Sequence, residues 1–123
     1  MAKVAYYEIN VDDFRRAQAF YAAIFGWTFD RYPGPMEYYL VKSGEDKEHG
    51  IDGGMLMRQA PLKDGATSGF VCTIAVSSVD DAIAKIKKAG GVIVMEKTLM
   101  EGIGYIAYAI DTEGNTFGIW EQA

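Results

Sequence analysis

One pattern runs through this chain twice. Val11-Asp12-Asp13-Phe14, Phe20-Tyr21 and Phe25-Gly26-Trp27 have weaker echoes in Val76-Ser77-Ser78-Val79, Lys85-Ile86 and Gly90-Gly91-Val92, at a constant offset of 65 residues. A repeat of that length is too long for a solenoid unit and occurs only twice, so it predicts a duplicated half-domain. Two halves that each carry a half-covered sheet can face one another across a cleft. Function is expected in what lines that cleft.

At 123 residues, half of them hydrophobic, the chain has the length of one domain with a real core. No apolar run approaches the roughly 18 residues that cross a bilayer, so no membrane association is expected. Met1-Ala2-Lys3 leads straight into a strand without a signal-peptide pattern, and Cys72 is the single cysteine. Both point to the cytoplasm and exclude an intramolecular disulfide. The net charge of −5 repels phosphate backbones. Lys85, Lys87 and Lys88 read as the solvated face of an amphipathic helix, so no nucleic-acid partner is expected. Eight tyrosines and two tryptophans fill cores, but such side chains also line small-molecule pockets.

Residues 4–11 alternate as a strand. Ala5, Tyr7, Ile9 and Val11 form one apolar face; Val4, Tyr6, Glu8 and Asn10 form the other, which suits a cleft. Asp12 or Asp13 can cap a helix running to Phe25, with Phe14, Ala17, Tyr21 and Ile24 as its buried stripe and Gly26 as its stop. Short strands are expected at 27–30, 37–42 and 51–58, with a charged loop over 43–50. The first module therefore spans 3–58, a linker 59–68, and the second module 69–123. In the second module a strand at 70–76 precedes a helix that Ser78 caps and Gly90-Gly91 ends. Strands follow near 92–95, 104–110 and 116–121, the last two joined by a turn over 111–115. The fold class is α+β, two βαβββ modules forming a curved mixed sheet around a central cleft.

Glu8 sits beside Tyr6 on the cleft face, where a carboxylate among aromatic neighbours could act as a general base. The structural alternative is a carboxylate paired with Arg58, Lys42 or a backbone amide. Trp120 shares parity with Thr116 and Gly118 and offers a flat apolar wall. Tyr38 and Tyr108 add phenols, Leu56 an apolar contact and Thr73 a hydroxyl. Cys72, opposite in parity to Thr73, reads as a thiol buried beneath the second helix. His49, in the charged loop, reads as a surface imidazole.

Val-Asp-Asp-Phe…Ala-Phe-Tyr…Phe-Gly-Trp (11–27) and Asp-Thr-Glu-Gly-Asn-Thr-Phe-Gly-Ile-Trp-Glu (111–121) resemble the vicinal oxygen chelate superfamily. That family includes glyoxalase I, bleomycin- and fosfomycin-resistance proteins and extradiol dioxygenases. The likeness covers nearly the whole chain and is greatest to small glyoxalase-like proteins ending in Phe-Gly-Leu/Ile-Trp-Glu. It implies paired modules around a cleft and a homodimer. In metal-dependent relatives a divalent ion is held by His and Glu on inward strand positions, which the resemblance carries onto Tyr6, Gly54, Val71 and Gly118. A neutral phenol is a poor ligand and the other three offer no side-chain donor, so no metal and no cofactor are expected. The glycines are expected instead to leave volume for a ligand.

The resulting expectation is a glyoxalase- or bleomycin-resistance-like protein that binds a small apolar or aromatic molecule in the inter-module cleft. Tyr6, Glu8, Tyr38, Leu56, Thr73, Tyr108 and Trp120 are its expected lining. One alternative is a metal-independent lyase or isomerase acting on a small oxygenated substrate, with Glu8 as base and Tyr6 as hydrogen-bond donor or acid. Another is a metal-dependent glyoxalase-type lyase or dioxygenase.

Overall fold

The alternation in residues 4–11 has a direct structural outcome in strand β1 (Val4–Val11). A computed structural model describes residues 2–47, 49–58 and 69–123. The expected linker over 59–68 lies outside the described residues. The elements after β1 are α1 (Phe14–Phe25), β2 (Thr28–Arg31), β3 (Tyr38–Lys42), β4 (Gly53–Met57), β5 (Phe70–Ala75), α2 (Val79–Lys88), β6 (Val92–Met100), β7 (Gly104–Ile110) and β8 (Thr116–Glu121). Among the described residues, two helices and eight strands in this order make an α+β fold of two βαβββ modules. The chain divides into two compact units, Tyr6–Phe70 and Val71–Ala123, the latter joined by the first residues of β1.

In the first unit the strands lie in the order β2-β3-β4-β1. β1 runs parallel to β4 with Glu8 opposite Gly54, and β3 runs antiparallel to both β2 and β4. Tyr7, Ile9 and Val11 point to one side, where Phe14 of α1 packs with Val41 and Met55. Each such fully buried side chain contributes about 1.5–3 kcal/mol through removal from water. Asp13 caps α1 by accepting the Arg16 amide at 3.0 Å, worth about 1 kcal/mol. Gly26, at φ 72°, ends the helix in the left-handed region that favours glycine.

The apolar stripe of α1 ends earlier than the spacing suggested. Phe14, Ala17 and Tyr21 face the core, but Ile24 is 54% exposed. After Gly26 turns the chain, Trp27 stacks on Tyr21 with ring centroids 5.1 Å apart and planes at 9°, and so closes the stripe there.

In the second unit the order is β5-β8-β7-β6. β5 runs parallel to β8 with Thr73 opposite Gly118, and β7 runs antiparallel to β6 and β8. Val79 and Ile83 of α2 pack on Ala107 and Ile119, flanked by Ala82 and Ile86 as their helical spacing requires. Ser78 caps the helix by accepting the Asp81 amide at 3.1 Å. Glu121 at the end of β8 accepts the Val79 amide at 2.8 Å, so the helix start is fixed to the sheet. Strand β6 continues to Met100, five residues beyond its expected end. Register shifts between Ile93 and Met95 and between Met95 and Thr98 break its alternation, which hides the later residues from a period-two reading.

Cys72 is exposed and lies outside the packed cluster under α2. Its parity matches Ile74 and Val76, but the helix covers the strand only from about Val76 onward. Among the described residues no helix is long and apolar enough to cross a membrane.

Candidate functional site

The 65-residue repeat reappears as geometry. Glu8 faces Gly54 across β1 and β4, and Thr73, 65 residues later, faces Gly118 across β5 and β8. Phe14 and Val79, which begin the two helices, have the same separation. Corresponding positions in the modules are therefore Glu8 with Thr73 and Gly54 with Gly118.

On the helix-free face of the first module, Glu8 is 5% exposed and Tyr38 is 2% exposed. The Tyr38 hydroxyl donates to Glu8 Oε2 at 2.6 Å, a charge-assisted bond. The Tyr38 and Tyr6 hydroxyls are also hydrogen-bonded to each other, which extends the row to Tyr6, a half-buried side chain. Burial pushes the Tyr6 phenol well above its ordinary range. Burial, then the nearby Glu8 charge, pushes Tyr38 up further. Both shifts favour the protonated phenols. Leu56 stands opposite Tyr38 in the β3–β4 pair and Leu40 stands opposite Gly54, so apolar side chains border the polar row.

The expected partners of Glu8 are engaged elsewhere. Arg58 bonds Asp12 at 3.1 Å and the Asn10 carbonyl at 3.3 Å. Lys42 pairs with Asp46 at 2.7 Å and with Asp52 at 3.5 Å. Glu8 is thus a buried carboxylate held by a phenol, an arrangement the sequence left undecided because the face presented by Tyr38 depends on the register of β3.

Gly54 does not leave open volume. A Cβ at this position would run into the Tyr38 and Tyr6 hydroxyls, so the expectation that this glycine makes room for a ligand is corrected. The space at strand position 54 already holds two phenol oxygens. At Gly118 a methyl group would lie 2.6 Å from Thr73 Oγ1 and 3.2 Å from Tyr108 Cε1, so that position is filled as well.

In the second module Thr73 is 6% exposed and Tyr108 stands across from Gly118. Trp120 is half-buried, and its indole Nε1 donates to the Ile103 carbonyl at 2.9 Å. That bond ties the polar edge of the indole to the backbone. Tyr6, Glu8 and Tyr38 are thus joined directly, with Leu56 beside them, while Thr73, Tyr108 and Trp120 share the helix-free face of their own module. His49 is exposed in its loop.

Among the described residues no group of three or more His, Cys, Asp and Glu side chains is placed to hold a metal ion. Glu8 is committed to Tyr38 and Glu121 to the Val79 amide. The donor set on these strands does not fit a chelated divalent ion, which needs several N or O side-chain donors converging on one point.

A hypothetical protein from Bacillus halodurans C-125 shares the fold at TM-score 0.72 and 16% identity, with 99% of this chain and 95% of that one covered. Methylmalonyl-CoA epimerase from Mycobacterium tuberculosis matches at TM-score 0.70 and 16% identity, over 98% of this chain and 87% of that one. The Streptomyces coelicolor methylmalonyl-CoA epimerase (Q60A) in complex with 2-nitronate-propionyl-CoA matches at TM-score 0.71 and 15% identity, over 98% and 97%. In sequence, the chain is 24% identical over 127 residues to the anthracycline biosynthesis protein DauV of Streptomyces sp. (strain C5). The match covers 96% of this chain and 46% of that protein, so the chain spans about half the length of its relative. The family profile of the Glyoxalase/Bleomycin resistance protein/Dioxygenase superfamily matches residues 3–119. With that match over nearly the whole chain, and with the duplicated βαβββ order behind it, the protein belongs to the Glyoxalase/Bleomycin resistance protein/Dioxygenase superfamily.

Proposed function

We propose that this protein binds a small apolar or aromatic molecule on the helix-free faces of its modules, without the divalent ion used by metal-dependent relatives. The observation that carries the reading is a buried hydrogen-bonded row on the helix-free face of the first module. Tyr6 is bonded to Tyr38 and Tyr38 to Glu8, so the polar groups of this face are turned toward one another. Around this row lie Leu40 and Leu56; within the second module, Trp120, the Tyr108 phenol and the Thr73 hydroxyl share the helix-free face. Flat apolar walls with few polar groups suit an aromatic ligand. The likeness to the anthracycline biosynthesis protein DauV supports the same class.

The burial of Glu8 behind Tyr38 favours a polar anchor over a base in direct contact with substrate. On this reading the protein is a cytoplasmic homodimer that holds a small molecule and has no nucleic-acid or membrane partner. Two measurements test it. Elemental analysis of the purified protein, with thermal melts in Ni²⁺, Zn²⁺, Mn²⁺ and Fe²⁺, is expected to find no stoichiometric metal and no rise in Tm. A melt screen over small aromatic compounds is expected to find compounds that raise Tm, since a ligand at 100 times its Kd stabilises by about 2.7 kcal/mol. A tightly held divalent ion would overturn the reading, as would a screen in which no aromatic compound stabilises the fold.

A further inference from the structure

The hydrogen-bonded row contains fewer protons than it has oxygens to serve, and counting them sets its direction. A phenol carries one proton and two acceptor lone pairs, whereas a carboxylate only accepts. Tyr38 gives its single proton to Glu8 Oε2 at 2.6 Å. It has none left for Tyr6, so the bond between the two phenols must be made with the Tyr6 proton. Tyr6 is the half-buried end of the row, while Tyr38 and Glu8 are 2% and 5% exposed. The Tyr6 oxygen has therefore already spent its own hydrogen inward.

We propose that Tyr6 is a hydrogen-bond acceptor toward the ligand, and that the site selects molecules presenting an N–H or O–H group to it over isosteres presenting a bare oxygen. Tyr38 is the positioning residue that imposes this polarity, and the buried Glu8 carboxylate is its source. The inference rests on the reading that the helix-free face of the first module takes a small aromatic ligand. It reverses the role expected of Tyr6 from sequence, where the phenol was a donor or acid. A ground-state carbonyl or enolate oxygen placed against Tyr6 would meet lone pairs instead of a proton. Such a substrate is disfavoured at this position, whereas a phenol, an aromatic amine or an indole-type N–H is favoured.

Indole and benzofuran test the proposal because they share shape and aromatic area and differ in N–H against ring oxygen. Titrations followed by NMR of 13Cζ-tyrosine-labelled protein are expected to give indole about tenfold tighter binding than benzofuran, the worth of one net hydrogen bond. Tyr6→Phe is expected to bring the ratio to about one. Tyr38→Phe, which frees the Tyr6 proton, is expected to lower the ratio, whereas a merely structural Tyr38 would weaken both probes alike. Equal wild-type affinities, or a ratio untouched by Tyr38→Phe, would overturn the proposal.

A second measurement needs no ligand. In an equal mixture of H₂O and D₂O, a hydroxyl proton shielded from exchange splits its Cζ signal by the isotope effect. Split signals are expected from both Tyr6 and Tyr38, and a single averaged Tyr6 line, marking an outward-turned proton, would overturn the proposal whatever binds. Failure of both probes to bind, with both signals still split, would instead locate the error in the ligand reading and take the selectivity down with it.

Discussion

Gly54 lies directly across the parallel β1–β4 pair from Glu8, and the space its Cβ would occupy is held by the hydroxyl of Tyr38, the residue that bonds Glu8. One strand position thus accommodates the phenol row, and any side chain there competes with it.

Gly54→Ala is accordingly expected to destabilise the fold by about 1–3 kcal/mol through overpacking. Tyr38→Phe removes the oxygen nearest the added methyl, so the alanine should cost less in that background. The coupling expected for groups in contact is about 0.5 kcal/mol or more. Urea unfolding of the two single variants and the double variant measures it, and strict additivity would show that the phenol is not what excludes a side chain at position 54.

Tyr38→Phe alone removes a buried hydrogen bond to a carboxylate and is expected to cost about 1.5–3 kcal/mol. Tyr39→Phe is the internal comparison. Its hydroxyl donates to Glu37 at 2.8 Å in an exposed setting, so its loss should fall within about 0.5 kcal/mol. Equal losses at 38 and 39 would contradict the buried geometry.

The two helices should respond differently to truncation. Ile83→Ala, at a residue 9% exposed in the second core, is expected to cost about 2–5 kcal/mol. Ile24→Ala, at a residue 54% exposed, should stay within about 0.5 kcal/mol. Thermal or chemical denaturation distinguishes them, and a large effect at Ile24 would mean that something covers it in solution.

Asp111 provides a pH test. The Asn115 amide first, then the Glu113 amide, hold its carboxyl below the ordinary aspartate range, with bonds to Oδ1 of 2.9 and 2.8 Å. A folded-state value lowered in this way adds stability above the unfolded value, near pH 4, and loses it as pH falls through the folded value. Asp111→Ala should therefore lower Tm at pH 7, and the gap from wild type should narrow as pH drops below about 4. A gap that widens in acid would reverse the sign.

Much of the fold was legible because local chemistry and periodicity agreed. Asp13 and Ser78 capped the helices they were expected to cap, Gly26 stopped α1, and the alternation of β1 placed Tyr7, Ile9 and Val11 on the core side. The misreadings arise where tertiary context decides. The register shifts in β6 removed the period-two signal after Met95, Trp27 took the place expected for Ile24, and helix α2 stopped short of Cys72. At the candidate site, Tyr6 and Glu8 were visible from strand parity alone. Their link through Tyr38 was not, because it depends on which face of β3 meets Gly54, and neither length nor composition sets that register.

The filling of strand position 54 also constrains which side chains β4 could carry there. A longer side chain introduced there has no room until both phenols have receded, and withdrawing Tyr38 takes one donor from the buried Glu8. Enlargement at this position would thus call for accompanying change at both Tyr6 and Tyr38.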